Sequence, residues 1–231
     1  MPQLDRSLIS GTPTFAGLAN EALDEIVAKA QPFRLPKGEP AFRQGETADR
    51  FFLLLDGRLR VTRLNPQGQQ MVVRFVSPGD MFGVAMAIGA DAYPGTATAV
   101  VDSLALAWPN SVWTGLIARH PNLALNTMQS LGARLQESQK RIFDLSTQHV
   151  EQRIAGAVLQ LAQQAGKKTA GGLLIDFPIS RQDIAEMTGA TLHTVSRTLS
   201  AWEERGLVEC GRQKVTVRDP NGLLALSRKV D

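Results

Sequence analysis

Cysteine, tyrosine and histidine are scarce in this chain of 231 residues. It contains one cysteine (Cys210), one tyrosine and three histidines, and aromatic residues make up only 6%. A single thiol cannot form an internal disulfide bond, and it cannot supply the ligand set of an iron–sulfur cluster. Both internal disulfides and cysteine-ligated iron–sulfur clusters are therefore excluded.

Long apolar runs and a strong net charge are also missing. No apolar stretch approaches the roughly 20 residues that span a bilayer, and the first residues, MPQLDRSLIS, lack the apolar core of a signal peptide. We therefore expect a cytoplasmic protein with no membrane partner. A hydrophobic content of 43% and a net charge of +3 fit a folded protein that tolerates a nucleic-acid partner without requiring one.

No pattern of an enzyme active site occurs. A cupin-type metal centre needs histidine and carboxylate ligands inside its β-roll, but His120, His149 and His193 all fall outside the β-rich region described next. Neither a Ser-His-Asp arrangement nor a phosphate-binding loop is present. We expect no catalytic residues and no metal site.

The region from Phe33 to Trp113 is rich in turns and short β-type segments. The turns contain Gly38, Gly45, Gly57, Gly68 and Gly79. The β-type segments are Phe51–Leu55, Leu59–Leu64, Met71–Val76, Thr96–Val101 and Leu104–Trp108. Short strands at this spacing predict a sandwich or barrel. A helical pattern over residues 18–27 precedes them.

The stretch from Pro121 to Ser146 predicts one long helix, because it has a single glycine and no internal proline. Its apolar residues alternate in steps of four and three, which is typical of a coiled coil. The predicted dimer seam contains Ala124 and, as its main contacts, Met128, Leu131, Leu135, Ile142 and Leu145. Ser138 is the polar exception, which sets the register or touches a ligand. The alternative is a helix packed on its own domain.

A helix-turn-helix pattern lies near the C-terminus. Ser180 followed by Asp183 is a helix start in which the two side chains cap free amides, and it opens a predicted helix Arg181–Met187. Gly189 ends that helix, and Thr191 begins a second helix that ends at Gly206. Two short helices with so short a connector predict a helix-turn-helix. The hairpin that follows predicts a wing.

The polar N-terminal face of the second helix predicts contacts with base edges in the major groove. The candidate DNA-binding residues are Ser180, Arg181 and Thr191 for phosphates, Leu192, His193, Ser196 and Arg197 for bases, and Arg212 and Lys214 in the wing. Arg197 has the two donors that guanine O6 and N7 accept. The alternative is a winged helix that contacts only protein.

Three segments of the chain resemble the CRP/FNR family of bacterial regulators, in the order in which that family has them. RQGETADRFFLLLDGRLRV (Arg43–Val61) resembles the signature of the cyclic-nucleotide-binding fold, and SPGDMFG (Ser77–Gly83) resembles the entry to its effector pocket. TLHTVSRTLSAWEERGLV resembles the recognition helix. The resemblance implies a homodimer that binds a roughly palindromic double-stranded DNA site and acts at promoters with RNA polymerase.

The pattern and the resemblance together predict an α+β fold with three parts. We expect a β-roll effector-sensing domain of the cyclic-nucleotide-binding type over residues 1–120 and a dimerisation helix over 121–146. A winged helix-turn-helix domain is expected over 147–231. A regulatory subunit of a kinase or channel would lack the winged helix, and we reject that reading.

The residues expected in the effector pocket differ from those of the family members that bind cyclic AMP. Those members have a glutamate directly after the glycine that corresponds to Gly83, and Val84 stands there in this chain. They also have an arginine on a following strand, but the corresponding residues 92–98 contain no arginine. A cyclic phosphate needs a fixed cation or a nest of amides, so this argues against cyclic AMP. The pocket is expected to contain Phe75, Phe82, Gly83, Val84, Met86, Ile88, Thr96 and Thr98, with Ser138 and Gln139 added by the family resemblance. Its apolar lining favours an uncharged ligand or a buried cofactor.

The sequence is compatible with more than one kind of control. Haem is one alternative, with Pro2, His120, His149 or a methionine as ligands, because HTVSR resembles a nitrogen-oxide-responsive subgroup of the family. A regulator controlled only by its own concentration is another.

His193 occupies a position where many members have glutamate, so the cytosine contact of that glutamate is not expected. Cys210 is either a redox switch or a small buried hydrophobe.

Overall fold

The computed structural model describes residues 4–228, which form two compact units. The first unit contains the residues up to Leu64 together with Arg74–Ser138, and the second contains Asn65–Val73 together with the residues from Gln139 onward. Pro2, a candidate haem ligand, lies outside the described residues. Each unit is described by itself.

The first unit contains a β-roll with short helices before and after it. The helices are α1 (Ser7–Ser10), α2 (Asn20–Ala28) and α3 (Trp113–Arg119). The strands of the roll are β1 (Gln31–Leu35), β2 (Pro40–Phe42), β3 (Arg50–Asp56), β4 (Leu59–Leu64), β5 (Gln70–Val76), β6 (Met81–Phe82), β7 (Thr96–Ala99) and β8 (Ser103–Pro109), and residues 70–73 of β5 are grouped with the second unit. They form two four-stranded sheets in the orders β1-β8-β3-β6 and β2-β7-β4-β5. The predicted β-roll is therefore confirmed.

One face of the β1-β8-β3-β6 sheet packs against the helices of the first unit. The ring of Trp108 stacks on Phe51 with a centroid distance of 5.4 Å, and its indole Nε1 donates to the Ile26 carbonyl oxygen at 2.8 Å. Burial of an indole with its N–H satisfied is favourable because the ring leaves water without losing a hydrogen bond. This contact fixes α2, whose apolar side contains Leu23, on the sheet.

Aromatic rings fill the interior between the two sheets. Phe42 stacks on Tyr93 with a centroid distance of 3.8 Å, and Phe52 stacks on Phe82 at 4.9 Å. Alanines on β7 and β8 leave room for these rings, and all are buried: Ala97, Ala99, Ala105 and Ala107. Large and small side chains thus alternate across the roll, as close packing of a core requires.

A 27-residue helix, α4 (Pro121–Thr147), follows the roll. Proline at its first position has the fixed φ that a helix start needs. Leu123 and Thr127 in its first two turns are buried, and Leu131 packs against the core of the first unit. The long helix that the sequence predicts is confirmed.

The second unit is a winged helix-turn-helix. Its helices are α5 (Val150–Ala165), α6 (Arg181–Thr188), α7 (Leu192–Glu204) and α8 (Pro220–Arg228). Its strands are β9 (Gly166–Thr169), β10 (Gly172–Ile175), β11 (Val208–Gly211) and β12 (Lys214–Val217), in the sheet order β11-β12-β10-β9. Ile154, Val158 and Leu161 of α5 form its buried centre.

The segment Asn65–Val73, the tip of the β4–β5 hairpin, belongs to the second unit and makes polar contacts there. Arg141 Nη1 donates to the carbonyl oxygens of Val72 and Val73 at 3.0 and 2.8 Å. Gln70 Nε2 donates to Glu186 Oε2 on α6 at 2.9 Å.

Candidate DNA-binding surface and effector pocket

The start and end of α6 are fixed by the side chains that the sequence predicts. Ser180 Oγ accepts from the Asp183 amide at 3.0 Å, and Asp183 Oδ2 accepts from the Ser180 amide at 2.8 Å. Gly189 ends the helix in the left-handed region with φ of +63°, where a Cβ would be strained. The turn to α7 is therefore set by local chemistry.

Helix α7 has one buried face and one exposed face. Thr191 Oγ1 accepts from the Thr194 amide at 3.1 Å and caps the helix. Val195, Leu199 and Trp202 are fully buried, and the Trp202 indole donates to Glu151 at 2.9 Å. These contacts hold α7 on the rest of the second unit and leave its other face open.

The predicted base-reading residues lie on that open face. His193 and Arg197 are exposed, Ser196 is half-buried, and Leu192 has 48% of its surface exposed. They occupy the first two turns of α7, where a recognition helix meets base edges. An exposed leucine among polar side chains is suited to contact with a thymine methyl group.

The wing and the helix starts meet at a single cleft of about 350 Å³ in the second unit. Five predicted DNA-binding residues contribute to its lining: Ser180, Arg181, Leu192, Arg212 and Lys214. The cleft thus combines three cations, a hydroxyl and the amino end of α6, all of which suit phosphate groups. Thr191, His193, Ser196 and Arg197 belong to the adjoining start of α7.

Cys210 also lines this cleft, on β11. Burial raises the pKa of its thiol, and the nearby Glu203 carboxylate acts in the same direction. A raised pKa keeps the sulfur protonated at neutral pH, and the protonated thiol is the unreactive form. The half-buried side chain fits the packing interpretation of Cys210 better than the redox switch.

The residues expected to line the effector pocket do not share one surface. Phe82 stacks within the aromatic interior, whereas Val84 and Met86 pack with the opposite core that contains Trp108. Ile88 has 58% of its surface exposed, which corrects its expected place in the lining. Sequence proximity grouped these residues, but strand β6 ends at Phe82 and a short 3-10 helix, Ala85–Ile88, follows, so Val84 and Met86 no longer share the face of the strand.

Other expected pocket residues have structural roles in the first unit. Gly83 has a φ of +69°, and a Cβ there would lie 2.9 Å from Phe52 Cδ2, so close ring packing requires glycine. Thr96 Oγ1 accepts from the Gln44 amide at 3.0 Å. Phe75 is buried and Thr98 is half-buried; Ser138 and, in the second unit, Gln139 are exposed.

Two arginines of the first unit were not among the predicted site residues. Arg74 Nη2 and Arg134 Nη2 donate to the same acceptor, the Met81 carbonyl oxygen, at 3.1 and 2.6 Å. Arg74 lies on β5 between Val72 and Val76, which are both fully buried. A charged residue at an inward position of an alternating strand is a signal that could have identified it.

The candidate haem ligands within the described residues have other partners. His120 Nε2 donates to Glu25 Oε2 at 2.9 Å. His149 caps α5, where its side chain accepts from a backbone amide and Gln152 Oε1 accepts from its own amide at 2.6 Å. Both histidines therefore take part in structural contacts of the protein.

Exposed apolar residues form a stripe along α4, and the stripe differs from the predicted seam. Met128, Leu135 and Ile142 are 67%, 60% and 68% exposed, as an unpaired seam requires. Leu131 instead packs on the core of its own unit, and Leu125 is 55% exposed. The exposed stripe therefore shares Met128, Leu135 and Ile142 with the predicted seam but contains Leu125 in place of Leu131, because a repeat of threes and fours does not fix which neighbouring row faces outward. Leu145 remains partly exposed, at 42%.

These features define a DNA-binding transcription regulator with a β-roll and a winged helix-turn-helix. Residues 32–120 match the cyclic nucleotide-binding domain family, and residues 152–226 match the Crp-like helix-turn-helix domain family. The chain is 32% identical to the cyclic AMP receptor protein of Thermus thermophilus, over 91% of this chain and 94% of that protein. The chain belongs to the CRP/FNR family, whose members are transcription regulators and not enzymes.

Two further comparisons agree with this assignment. The chain is 26% identical to the CRP-like cAMP-activated global transcriptional regulator of Mycobacterium tuberculosis, over 93% of this chain and 96% of that protein. The structure of FixK2 from Bradyrhizobium japonicum has the same fold, with a TM-score of 0.77 at 23% identity over 87% of this chain and 99% of the other. Among residues 4–228, no helix is long and apolar enough to cross a membrane.

Proposed function

We propose that this chain is a cytoplasmic, homodimeric, sequence-specific transcription regulator, controlled by a small-molecule signal through its β-roll. The observation that carries the proposal is the cleft of the second unit, where Ser180, Arg181, Arg212 and Lys214 meet beside the exposed start of α7. The domain boundaries of this proposal are a sensing domain over 1–120, a dimerisation helix over 121–146 and a DNA-binding domain over 147–231. RNA polymerase is the partner expected at promoters.

The proposed dimer forms through the exposed stripe of α4. The stripe contains Leu125, Met128, Leu135 and Ile142, with Gly132 between them, where nothing lies within 4 Å of an added Cβ. From Leu125 to Leu135 these residues follow each other in steps of three and four, and Ile142 follows one heptad later, so a second copy can pack along the stripe. Two helices meet closely at a glycine because it has no side chain. A two-fold dimer places the two recognition helices one DNA turn apart on a palindromic site.

We further propose that the effector is not cyclic AMP, although two relatives are named for it. The support is that Val84 has no carboxylate for the ribose, and Tyr93 occupies the segment where the phosphate-binding arginine is expected. Tyr93 is 3% exposed, and its hydroxyl donates to the Arg50 carbonyl oxygen at 2.7 Å. A ring held by packing and by a hydrogen bond leaves no fixed cation at that point.

Selection of binding sites from random DNA, followed by titration, tests the DNA-binding proposal. Arg197→Ala is expected to cost ~1–3 kcal/mol on the selected site and to relax preference at one base pair. The matched control is Arg205→Ala, an exposed arginine after the end of α7, which is expected to keep the preference. If Arg197→Ala weakened binding to all sequences equally, the base-reading role would be wrong.

A further inference from the structure

We infer that Arg74 and Arg134 form a binding site for a small oxyanion, which acts as the effector. The inference rests on the proposed function for its regulatory meaning, but the binding site stands on its own geometry. Both guanidinium groups donate to the Met81 carbonyl oxygen, at 3.1 and 2.6 Å. The two nitrogen atoms are therefore separated by no more than the sum of those distances. Two cations this close form a preorganised pair of donors.

The shared acceptor explains why the two side chains converge. Strand β6 lies at the edge of its sheet, and it pairs with β3 through Leu53 and Met81. The backbone groups on its other side have no neighbouring strand and need other partners. One arginine would satisfy the Met81 carbonyl oxygen. The second arginine is not required for that purpose.

The guanidinium groups retain donors for a ligand. Each has five N–H donors and no acceptor. Among the described residues, the hydrogen-bond acceptor of Arg134 is the Met81 carbonyl oxygen, and Arg74 has in addition the Asp80 carboxylate at 3.6 Å. Asp80 Oδ2 also accepts from the Ser77 amide at 2.9 Å. Most N–H groups of the pair therefore have no protein acceptor.

Burial and like charge favour an anion between the two groups. The Arg74 side chain is only 20% exposed. Burial, and after it the charge of Arg134, lowers the pKa of Arg74 to about 10, so it stays protonated at neutral pH. Burial also lowers the pKa of Arg134. The acidic groups that face the pair are Asp80 and Glu137, and an oxyanion would add the bidentate contacts that neither arginine has.

The surrounding core limits the size of the ligand. The interior of the roll is filled by the stacked rings of Phe42, Phe52, Phe82 and Tyr93. The recognition feature is therefore the pair of charged ends of Arg74 and Arg134, which calls for an anion. The ligand class is therefore a small oxyanion such as nitrate, phosphate or a short carboxylate.

The site is coupled to α4 by Arg134 itself. Arg134 lies next to Leu135, which belongs to the exposed stripe of the proposed dimer. A ligand that bridges Arg74 and Arg134 would tie this turn of α4 to β5. Occupancy would then favour one position of the helix by differential affinity for it.

Titration of the full-length protein tests this site. Sodium phosphate and sodium nitrate are added at constant ionic strength against sodium chloride, and binding is measured by calorimetry and by the rise in Tm. At least one oxyanion is expected to bind, and Arg74→Gln and Arg134→Gln are each expected to weaken it by about tenfold or more. The control is Arg63→Gln, an exposed arginine on β4 that removes the same charge, with no expected effect.

A variant that binds the oxyanion more tightly distinguishes a specific site from a general loss of structure, because an unfolded protein would not gain affinity. Asp80→Asn keeps an acceptor for the Ser77 amide but removes the competing carboxylate, so it is expected to tighten oxyanion binding. No binding to the wild type, or equal loss in Arg63→Gln, would overturn the site. Loss only in Arg181→Gln would assign the anion to the DNA-binding cleft, and tighter binding of cyclic AMP would overturn the small-ligand class. DNA binding is measured separately, so sequence-specific binding with no oxyanion site would reject this inference alone.

Discussion

Glu25 shows how one partly exposed junction is held by charge. Its carboxylate accepts from Arg119 Nε at 3.1 Å, from Lys29 Nζ at 2.7 Å and from His120 Nε2 at 2.9 Å. The hydrogen bond from Arg119, followed by those from Lys29 and His120, holds the pKa of Glu25 far below its usual range. The residue therefore anchors α2 to the end of α3.

The lowered pKa of Glu25 predicts a dependence of stability on pH. A carboxylate with a depressed pKa in the folded state contributes fully above its ordinary pKa of 4.5 and loses that contribution as the pH falls. Glu25→Gln is therefore expected to destabilise the protein at pH 7 and to differ less from the wild type in acid. Urea unfolding at pH 7 and pH 3 measures this.

The control for Glu25 is Glu21→Gln, an exposed carboxylate in the first turn of the same helix. It is expected to leave the pH dependence unchanged. A constant difference between Glu25→Gln and the wild type across the pH range would show that the ion cluster does not hold the junction.

At the scale of elements, the wing lies beside the helices of the candidate DNA-binding surface. Strands β11 and β12 pair from Val208 with Val217 to Gly211 with Lys214, and Gln213 at the tip has a φ of +57°. The Ile179 amide donates to the Gln213 carbonyl oxygen at 3.1 Å, which joins the tip to the start of α6. The wing is therefore held beside the helix-turn-helix.

The exposed wing cation predicts a salt effect. Lys214→Ala is expected to weaken binding to all DNA sequences alike, because a phosphate contact carries no sequence information. The slope of log K against log salt concentration should fall by about 0.9. Fluorescence anisotropy at several salt concentrations measures it. A changed sequence preference with the same slope would contradict a backbone contact.

The strands of the roll show which elements the alternation of apolar and polar residues can predict. The strand predicted at Leu59–Leu64 is confirmed, and Phe51–Leu55 is confirmed within Arg50–Asp56. Among the strands that were not predicted, β2, β6 and β9 have only two to four residues, and β1 has five. Segments this short carry too few alternations to produce a periodic signal, and they pair only because longer strands lie beside them.

At the scale of the whole molecule, the exposed stripe of α4 predicts oligomeric state. Leu135→Lys with Ile142→Lys is expected to give a monomer, because paired cations replace apolar contacts at the centre of the stripe. Sedimentation velocity measures the change. The control is Gln129→Lys with Gln136→Lys, two exposed residues beside the stripe. An unchanged sedimentation coefficient in the first variant would reject the stripe as the dimer interface.

The sequence by itself determined the class of this protein. The caps at Ser180 and Thr191, the glycine at 189 and the apolar spacing of α7 are local signals, since each acts within about one helical turn. They sufficed to predict the helix-turn-helix and its exposed polar face. Glycine-bounded strands likewise predicted the β-roll.

Only the tertiary structure decided which residues meet across distant segments. Arg74 and Arg134 lie 60 positions apart, and no local pattern relates them. The structure also assigned Leu131 to a core and Leu125 to the surface. Such placements depend on how β5, β6 and α4 pack together, and packing is a property of the whole unit. For this reason the sequence sufficed to predict the helix-turn-helix, whereas the proposed oxyanion site could be recognised only from the fold.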